Sequence, residues 1–313
     1  MTLRVMCICL LRDFVKLFDT TFKAMGTRCE IRLYARSAEQ AAVAARAVTA
    51  DVERLEALYS RYRPSSFLSQ INQVAAQGGS ITVDAETGHL LNYAATCYHA
   101  SGGLFDVTSG ILRRAWDFKS AKLPDAAYVE QLLIHTGWQK LQWQQPTLAF
   151  PQPGMELDFG GVVKEYAADR AATLCQELGI SHGMINLGGD IRIIGPHPDG
   201  RPWQIGISDP QQPALPVKML EVASGALASS GDYERCITID GIRYSHVLNP
   251  LTGWPVRHLA AVSVVADFCV VAGSASTIGM LMGAAGKSWL QQLGLPYLWV
   301  DTQGICGGSL MQA

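Results

Sequence analysis

The chain has 313 residues, of which 49% are hydrophobic and 17% are charged. This composition excludes intrinsic disorder, and the 30 glycines follow no three-residue period of the kind that collagen requires. The 25 Lys and Arg nearly balance the 27 Asp and Glu, which gives a formal net charge of −2. Because no excess of positive charge is available to neutralise a phosphate backbone, nucleic-acid binding is not expected as the main role.

The eight cysteines form no C-x-x-C pair and have no matching histidine spacing, so neither a zinc site nor a redox dithiol is predicted. We interpret them as small, buried hydrophobic residues. The apolar run at residues 5–11 is short for a secretory signal, and no small-residue cleavage site follows it. We therefore expect a cytoplasmic location, or the periplasmic side of the inner membrane if the true start codon lies upstream.

In chain order, the first predicted element is a strand over Thr27–Ala35, where apolar and polar residues alternate. A helix follows, because Ser37 and Gln40 form a capping-box pattern and apolar residues then recur at helical spacing. Two further helices are predicted over 88–100 and 164–178, each stopping at glycine.

The C-terminal half is predicted to be rich in strands, over residues 184–187, 191–194, 203–207, 236–239 and 242–248. The Asp240-Gly241 pair between two apolar runs predicts a hairpin, because both central positions of its turn need positive φ. Strands and helices do not alternate strictly. A mixed α/β (α+β) fold is therefore expected, rather than a doubly wound sheet.

The stretch from residue 259 to residue 285 has a single charge, Asp267, and could be mistaken for a membrane span. Its first part is β-branched and strand-like, and its second part mixes small and apolar residues as a buried helix does. Since each part is too short to cross a bilayer, we predict a strand followed by a helix, and no transmembrane span.

A pair of glycines, Gly160 and Gly161, lies just before a predicted helix, with Asp158 ahead of it and Lys164 in the first turn. Free backbone N–H groups at such a helix start bind anions, and a lysine would strengthen the site. Phosphate binding is one interpretation; a tight turn with a solvated lysine is the other. The pattern matches neither of the two best-known phosphate loops.

Three other segments have equally plain alternatives. Ser229–Tyr233 reads as a polar turn, and a histidine in a strand, such as His246, is more often structural than catalytic. Asp106 and Thr108 are explained equally well by an Asx turn.

Taken together and in order, these segments resemble the FAD:protein FMN transferases of the ApbE family. The matching motifs are Met25-Gly-Thr27, Tyr62-Arg-Pro-x-Ser66, Phe105-Asp-x-Thr108, Asp158-x-Gly-Gly-x-x-Lys-x-Tyr166, Asn186-x-Gly-Gly-Asp190, Ser230-Gly-Asp-Tyr233, and His246 with Thr252-Gly253. These motifs cover roughly Met25 to Gly283. The resemblance implies one flavin transferase domain over residues 23–300, with an N-terminal extension over 1–22 and a C-terminal tail over 301–313.

The resemblance implies two tightly joined lobes with a mainly antiparallel sheet and flanking helices. It implies Mg²⁺-dependent transfer of the FMN moiety of FAD onto a threonine hydroxyl of a target protein, with release of AMP. The expected target is a flavin-carrying electron-transfer subunit.

The resemblance also assigns roles to individual residues. Met25 and Tyr62 would flank the flavin, and the backbone of Leu104, Phe105 and Asp106 would contact the cofactor. Asp158 would hold a polar group of the nucleotide, Lys164 would lie by the phosphates, and His246 would touch flavin or diphosphate. Since a threonine nucleophile needs a base, His246 is also the candidate catalytic residue. The metal contacts would be the Gly161 carbonyl, position 273 and the Thr277 hydroxyl.

The sequence departs from the family pattern at three places. Gly273 stands where the family has the metal-binding Asp, Glu165 stands where a glycine is frequent, and Asn249 stands where an Asp often precedes the proline. Losing the carboxylate should weaken a Mg²⁺ site, so Gly273→Asp is predicted to increase turnover. The departure leaves two alternatives open: a flavin-binding protein with lost or slowed transfer, and a FAD pyrophosphatase in which water replaces threonine.

Overall fold

The computed structural model describes residues 15–120, 122–212, 214–232 and 236–312. The helices in these ranges are α1 (Ala38–Tyr59), α2 (Phe67–Gln77), α3 (Ala85–Ala100), α4 (Ala126–Leu133), α5 (Val163–Glu177), α6 (Cys269–Leu281) and α7 (Gly286–Leu293). Short 3-10 helices span Val107–Arg114, Trp138–Lys140, Gly283–Ala285 and Ser309–Met311.

The first seven strands are β1 (Lys16–Ala24), β2 (Thr27–Ala35), β3 (Gly79–Thr82), β4 (Gln142–Gln144), β5 (Thr147–Phe150), β6 (Gly183–Leu187) and β7 (Asp190–Gly195). The others are β8 (Trp203–Ser208), β9 (Pro216–Val222), β10 (Gly225–Gly231), β11 (Cys236–Ile239), β12 (Ile242–Ser245), β13 (Leu259–Ala266), β14 (Tyr297–Asp301) and β15 (Cys306–Gly307).

The main sheet has eight strands in the order β1-β2-β6-β7-β10-β13-β14-β15, and every pairing between them is antiparallel. Helices α1, α5 and α6 pack side by side on one face and share the largest hydrophobic core with the sheet. The β8–β9 hairpin covers part of the other face through a second apolar cluster around Trp203. The predicted mixed α/β fold with a mainly antiparallel sheet is confirmed.

A smaller lobe consists of α2, α3 and the three-stranded sheet β3-β5-β4. Its buried residues, such as Leu68, Leu91 and Phe150, belong to the same core cluster as those of the main sheet. The two lobes are therefore joined by continuous apolar packing, as the sequence predicts.

Local sequence signals account for several boundaries. The Ser37 hydroxyl accepts a hydrogen bond from the Gln40 backbone N–H at 3.1 Å, and this cap begins α1. Val48 and Leu55 on the predicted apolar stripe are buried. The predicted hairpin joins β11 to β12, with Asp240 and Gly241 at φ values of 51° and 75°. Cys29, Cys97, Cys175 and Cys269 are buried as expected, whereas Cys236 and Cys306 are only half-buried.

The apolar stretch from residue 259 folds as predicted into a strand, β13, and a helix, α6. No helix in the described parts of the chain is long and apolar enough to cross a membrane. The run at residues 5–11 lies outside the described residues.

The structure differs from the sequence-based expectations in three places. Residues 229–231, predicted to be a polar turn, are the end of the interior strand β10, and Tyr233 lies outside the described residues. The strand predicted over 242–248 ends at Ser245. The boundary expected after residue 22 falls inside β1, and that after residue 300 falls inside β14.

Candidate functional site

A cleft opens at the N-terminal end of α5, where two cavities adjoin. The smaller, of about 210 Å³, is called the inner cavity here, and the larger, of about 420 Å³, is called the outer cavity. Both cavities are lined by Arg113, Asp158, Gly160, Lys164 and His246. Because they share these residues, the two cavities form one continuous cleft. The structure therefore brings Asp158, Lys164 and His246 together, although they come from separate segments of the chain.

The inner cavity is bordered by the loop that contains Leu104, Phe105 and Asp106. The Asp106 carboxylate is held within the fold: it accepts hydrogen bonds from the backbone N–H and hydroxyl of Thr108 at 2.8 and 2.7 Å, and from the Trp138 backbone N–H at 3.0 Å. Burial raises the pKa of Asp106, although these hydrogen bonds oppose the shift. Asp106 thus fixes the loop, which is the arrangement expected if its backbone contacts the ligand.

Asp158 lies at the junction of the two cavities and is held by two arginines. Arg61 donates to its carboxylate at 2.8 Å, and Arg113 Nε lies 3.7 Å from the same oxygen. Burial acts to raise the pKa of Asp158, but the charges of Arg113 and Arg61 outweigh it, so the pKa lies below its usual value. Asp158 is therefore an ionised hydrogen-bond acceptor at neutral pH.

Lys164 lies in the first turn of α5, beside the Gly160-Gly161 turn, and its Nζ is 2.8 Å from Asp190 Oδ2. Both the helix start and the ammonium group face the cleft, which suits a phosphate group. Among the described residues, no backbone hydrogen bond ends on the Gly161 carbonyl. The Gly161 carbonyl is therefore not used in the backbone hydrogen bonds of this turn.

Met25 and Tyr62 lie together at the mouth of the outer cavity. Met25 is in the two-residue turn between β1 and β2 with φ of 52°, which a non-glycine residue adopts only at a cost in free energy. Tyr62 is 73% exposed, which is unusual for a large aromatic ring. An exposed ring and a flexible thioether at the same opening suit a flat aromatic ligand.

His246 follows β12 and lines both cavities. It therefore borders the cleft together with Lys164 and Arg113. An imidazole at this point can take up or deliver a proton near neutral pH.

Helices α5 and α6 run antiparallel, and the Asp169 carboxylate fixes their register. It accepts hydrogen bonds from the backbone N–H groups of Cys269 and Val270 at 2.8 and 2.9 Å, which caps the start of α6. One turn further along the pair, Glu165 lies against Gly273: a Cβ at position 273 would be 2.5 Å from Glu165 Cγ. Gly161, four residues before Glu165, and Thr277, four residues after Gly273, both line the inner cavity.

The Thr277 hydroxyl belongs to a chain of hydroxyl groups whose proton directions can be assigned. Ser276 donates to the Gly273 carbonyl at 2.9 Å, so the 2.8 Å contact between Ser276 and Ser230 requires Ser230 to donate. Thr277 must then donate to Ser230, also at 2.8 Å. The lone pairs of Thr277 are thereby left as acceptors at the edge of the inner cavity.

These oxygens fit a hard divalent cation. The Thr277 hydroxyl and the Gly161 carbonyl are neutral oxygen ligands, and Glu165 Oε2 is a buried carboxylate oxygen with no hydrogen-bond partner among the described residues. The structure also revises the expectation for Gly273→Asp, because the added side chain would collide with Glu165.

Three contributions were missed by reasoning from sequence. Arg61 pairs with Glu156 at 2.6 Å as well as with Asp158, and Arg113 adds a second cation. Ser276 links Gly273 to Ser230. No local pattern identifies these residues, because their partners lie far away in the chain. The signal for Glu165 was present as two departures from the family pattern, at 165 and at 273, but their contact was not foreseen.

The fold and the cleft define a class: a mixed α/β protein whose cleft is lined by a helix start, a lysine, a histidine and an aspartate paired with arginine. Comparison with known families agrees, since the model described as the ApbE family matches residues 25–299. The chain belongs to the ApbE family, and the resemblance predicted from its motifs is confirmed.

Individual relatives support this membership. The chain is 31% identical over 266 residues to a FAD:protein FMN transferase of Chlamydia pneumoniae, covering 82% of each chain. It also matches the crystal structure of the ApbE protein of Thermotoga maritima with a TM-score of 0.84, 30% identity and coverage of 94% and 97% of the two chains. The apo flavinyl transferase ApbE of Pseudomonas stutzeri gives a TM-score of 0.85 at 26% identity, covering 95% and 96%. These relatives place the chain in a family of transferase enzymes.

Proposed function

We propose that this protein transfers the FMN moiety of FAD onto a threonine hydroxyl of an acceptor protein and releases AMP, with Mg²⁺ bound in the cleft. The observation that supports this most is the convergence of Asp158, Lys164 and His246 on one continuous cleft at the start of α5, in a chain whose relatives are named FAD:protein FMN transferases.

The cleft suits FAD along its length. The flavin would lie at the outer cavity between Met25 and Tyr62, and its diphosphate would lie at the start of α5 beside Lys164. Asp158, ionised and held by Arg61 and Arg113, would accept a hydrogen bond from the nucleotide. The backbone of residues 104–106 would contact the part of FAD in the inner cavity.

The reaction requires a nucleophile, a base and neutralisation of the diphosphate charge. The threonine oxygen forms a bond to the FMN phosphorus, the anhydride P–O bond breaks, and AMP leaves with the bridging oxygen. The threonine proton passes to the His246 imidazole and from there to solvent. Mg²⁺, when bound, would neutralise charge on the diphosphate oxygens. Lys164 adds positive charge on the helix side.

The test is to incubate the purified protein with FAD, Mg²⁺ and a flavin-carrying electron-transfer subunit as the acceptor, with an EDTA-treated sample as the control. We expect covalent flavin fluorescence on the denatured acceptor, together with one AMP per flavin bound. Replacement of the modified threonine by valine should abolish labelling. AMP and FMN without labelled acceptor would instead indicate a pyrophosphatase, and bound FAD without products would indicate a flavin-binding protein; both results contradict the proposal.

The acceptor's identity as an electron-transfer subunit and the cytoplasmic location stay predictions from the sequence.

A further inference from the structure

Glu165 is a buried acid that lacks a full set of partners. The residue is 6% exposed, and its Oε2 atom has no hydrogen-bond donor among the described residues. A buried polar atom without a partner costs free energy, and such an atom in a native fold calls for an explanation.

The position of the Glu165 carboxylate suggests why its Oε2 atom has no hydrogen-bond donor. Glu165 lines the inner cavity together with Gly161 and Thr277. Glu165 on α5 follows Gly161, in the turn before that helix, by four residues. In the α5–α6 register that Asp169 fixes, Glu165 faces Gly273, which is one helical turn from Thr277 on α6. The acid therefore lies in the layer next to the two neutral oxygen groups, and all three residues border the same cavity.

The absence of a side chain at Gly273 makes room for the Glu165 side chain. A Cβ at position 273 would lie 2.5 Å from Glu165 Cγ and 3.0 Å from both Cδ and Oε1. The first of these atoms is in the middle of a buried side chain, which has little freedom to move aside. Glu165 thus fills the space that a side chain at residue 273 would need, and the two positions cannot both bear an acid without rearrangement.

We propose that Glu165 supplies the carboxylate ligand of a divalent cation in this cleft, reaching from α5 into the space over Gly273. The Thr277 hydroxyl and the Gly161 carbonyl would be its neutral oxygen partners. This inference rests on the proposed function, in which a cation acts at the FAD diphosphate. One carboxylate with neutral oxygens, water and substrate phosphate is a ligand set that Mg²⁺ accepts. The acid absent at 273 and the additional acid at 165 then become a single exchange of one ligand between two helices.

The test measures cation binding directly, with Mn²⁺ as the probe, by electron paramagnetic resonance and calorimetry on the full chain without FAD. The variants are Glu165→Gln, Glu165→Gly and the double variant Glu165→Gly with Gly273→Asp. Glu86→Gln is the control, because it removes a carboxylate that pairs with Arg54 and lines neither cavity.

We expect Glu165→Gln and Glu165→Gly to weaken Mn²⁺ binding by about tenfold or more, with no loss of thermal stability in metal-free buffer for the glutamine variant. The double variant should regain an affinity within about threefold of the parent, because its carboxylate returns from α6. The control should bind as the parent does. A purely structural Glu165 would not produce this rescue.

Parent-like Mn²⁺ affinity in Glu165→Gln overturns the inference, and so does a double variant that binds no better than Glu165→Gly. If Glu165→Gln does not fold, the double variant decides alone. Flavin transfer is scored separately on the parent: loss of Mn²⁺ binding in Glu165→Gln, with no flavinylated acceptor from the parent, supports the inference and refutes only the proposed function. A parent that labels its acceptor while Glu165→Gln binds Mn²⁺ normally refutes only the inference.

Discussion

Helix α5 borders two groups of charged residues that differ in how their charges are matched. In the outer cluster, defined as Asp51, Arg54, Glu86, Tyr166 and Arg170, each acid is paired. Arg54 lies 2.6 Å from Glu86, Arg170 lies 2.7 Å from Asp51, and the Tyr166 hydroxyl donates to Glu86 at 3.0 Å.

In the cleft cluster, defined as Lys164, Glu165, Asp190 and Thr277, not every polar atom has a partner among the described residues. Lys164 pairs with Asp190, while Glu165 Oε2 has no partner among the described residues and the lone pairs of Thr277 face the inner cavity. Charges that only stabilise a fold are matched within the fold, because an unmatched buried charge is costly. The incomplete cluster is therefore the one built to receive a ligand, and substitutions in the two clusters should have opposite consequences for activity and stability.

The largest effect is expected for His246→Ala in the cleft. If the imidazole takes the threonine proton, its removal should lower the rate of flavin transfer by a factor of about 10² to 10⁴, which is the usual contribution of a general base. Stability should hardly change, since His246 borders a cavity rather than the core. Single-turnover labelling of the acceptor and a thermal melt measure the two effects. His89→Ala, an exposed change on α3, is the control, and an equal loss of rate in both variants would remove His246 from the mechanism.

A smaller effect is expected for Gly273→Ala, which tests the contact between α5 and α6. The added methyl would meet Glu165 Cγ at 2.5 Å, so we expect a loss of unfolding free energy of about 1–3 kcal/mol and weaker Mn²⁺ binding. Denaturant titration and Mn²⁺ titration measure these quantities.

The matched control is Gly279→Ala on the same helix, where the nearest atom is the terminal Leu290 Cδ1 at 3.0 Å, which can move more easily. Glu165→Gly should suppress the destabilisation by Gly273→Ala. Equal costs at 273 and 279, with no suppression, would mean that Glu165 does not occupy the space over Gly273.

The smallest effect is expected in the outer cluster, for Glu86→Gln. We expect a loss of unfolding free energy of about 0.5–1 kcal/mol near neutral pH, because the pairs are partly exposed to solvent. Flavin transfer should be unchanged. Glu53→Gln, an exposed acid on α1, is the control, and a transfer defect in Glu86→Gln would erase the distinction between the two clusters.

The pH dependence of stability follows from the same cluster. Hydrogen bonding by Arg54 lowers the pKa of Glu86, and for Asp51 the hydrogen bonds from Arg170 and Arg54 outweigh burial, so that the pKa is lowered too. A lowered folded-state pKa means that the stabilisation is complete above the unfolded-state pKa, about 4, and is lost as the pH falls through the folded-state value. The unfolding free energy of the parent should therefore drop below about pH 4, and Glu86→Gln should show a shallower drop. If the unfolding free energies of the parent and of Glu86→Gln fell in parallel as the pH decreased, the lowered pKa of Glu86 would not be a source of this pH dependence.

Local signals predicted much of the fold, and they failed where distant contacts decide. The Ser37 cap and the Asp240-Gly241 turn act within a few residues, so the sequence alone located them. Residues 229–231 were predicted as a turn because small polar residues have little intrinsic preference for strands. Pairing of β10 with β7 and β13 on its two sides overrides that preference.

The candidate site likewise contains residues that the sequence predicted and contacts that it did not predict. The positions of Asp158, Lys164 and His246 in one cleft follow from the family resemblance, and the described structure brings them together. The pairing of Arg61 with Asp158 and the packing of Glu165 over Gly273 depend on how separate segments meet. No periodicity or motif within either segment contains that information, so these contacts had to come from the fold.

The most direct test of the proposed activity is mass spectrometry of an acceptor protein produced together with this chain, compared with the same acceptor produced with the His246→Ala variant. We expect a threonine peptide heavier by the mass of FMN less one water with the parent, and the same peptide at a much reduced level with the variant. Finding no such peptide with the parent, in cells that contain FAD and Mg²⁺, would contradict the claim that this cleft transfers flavin to protein.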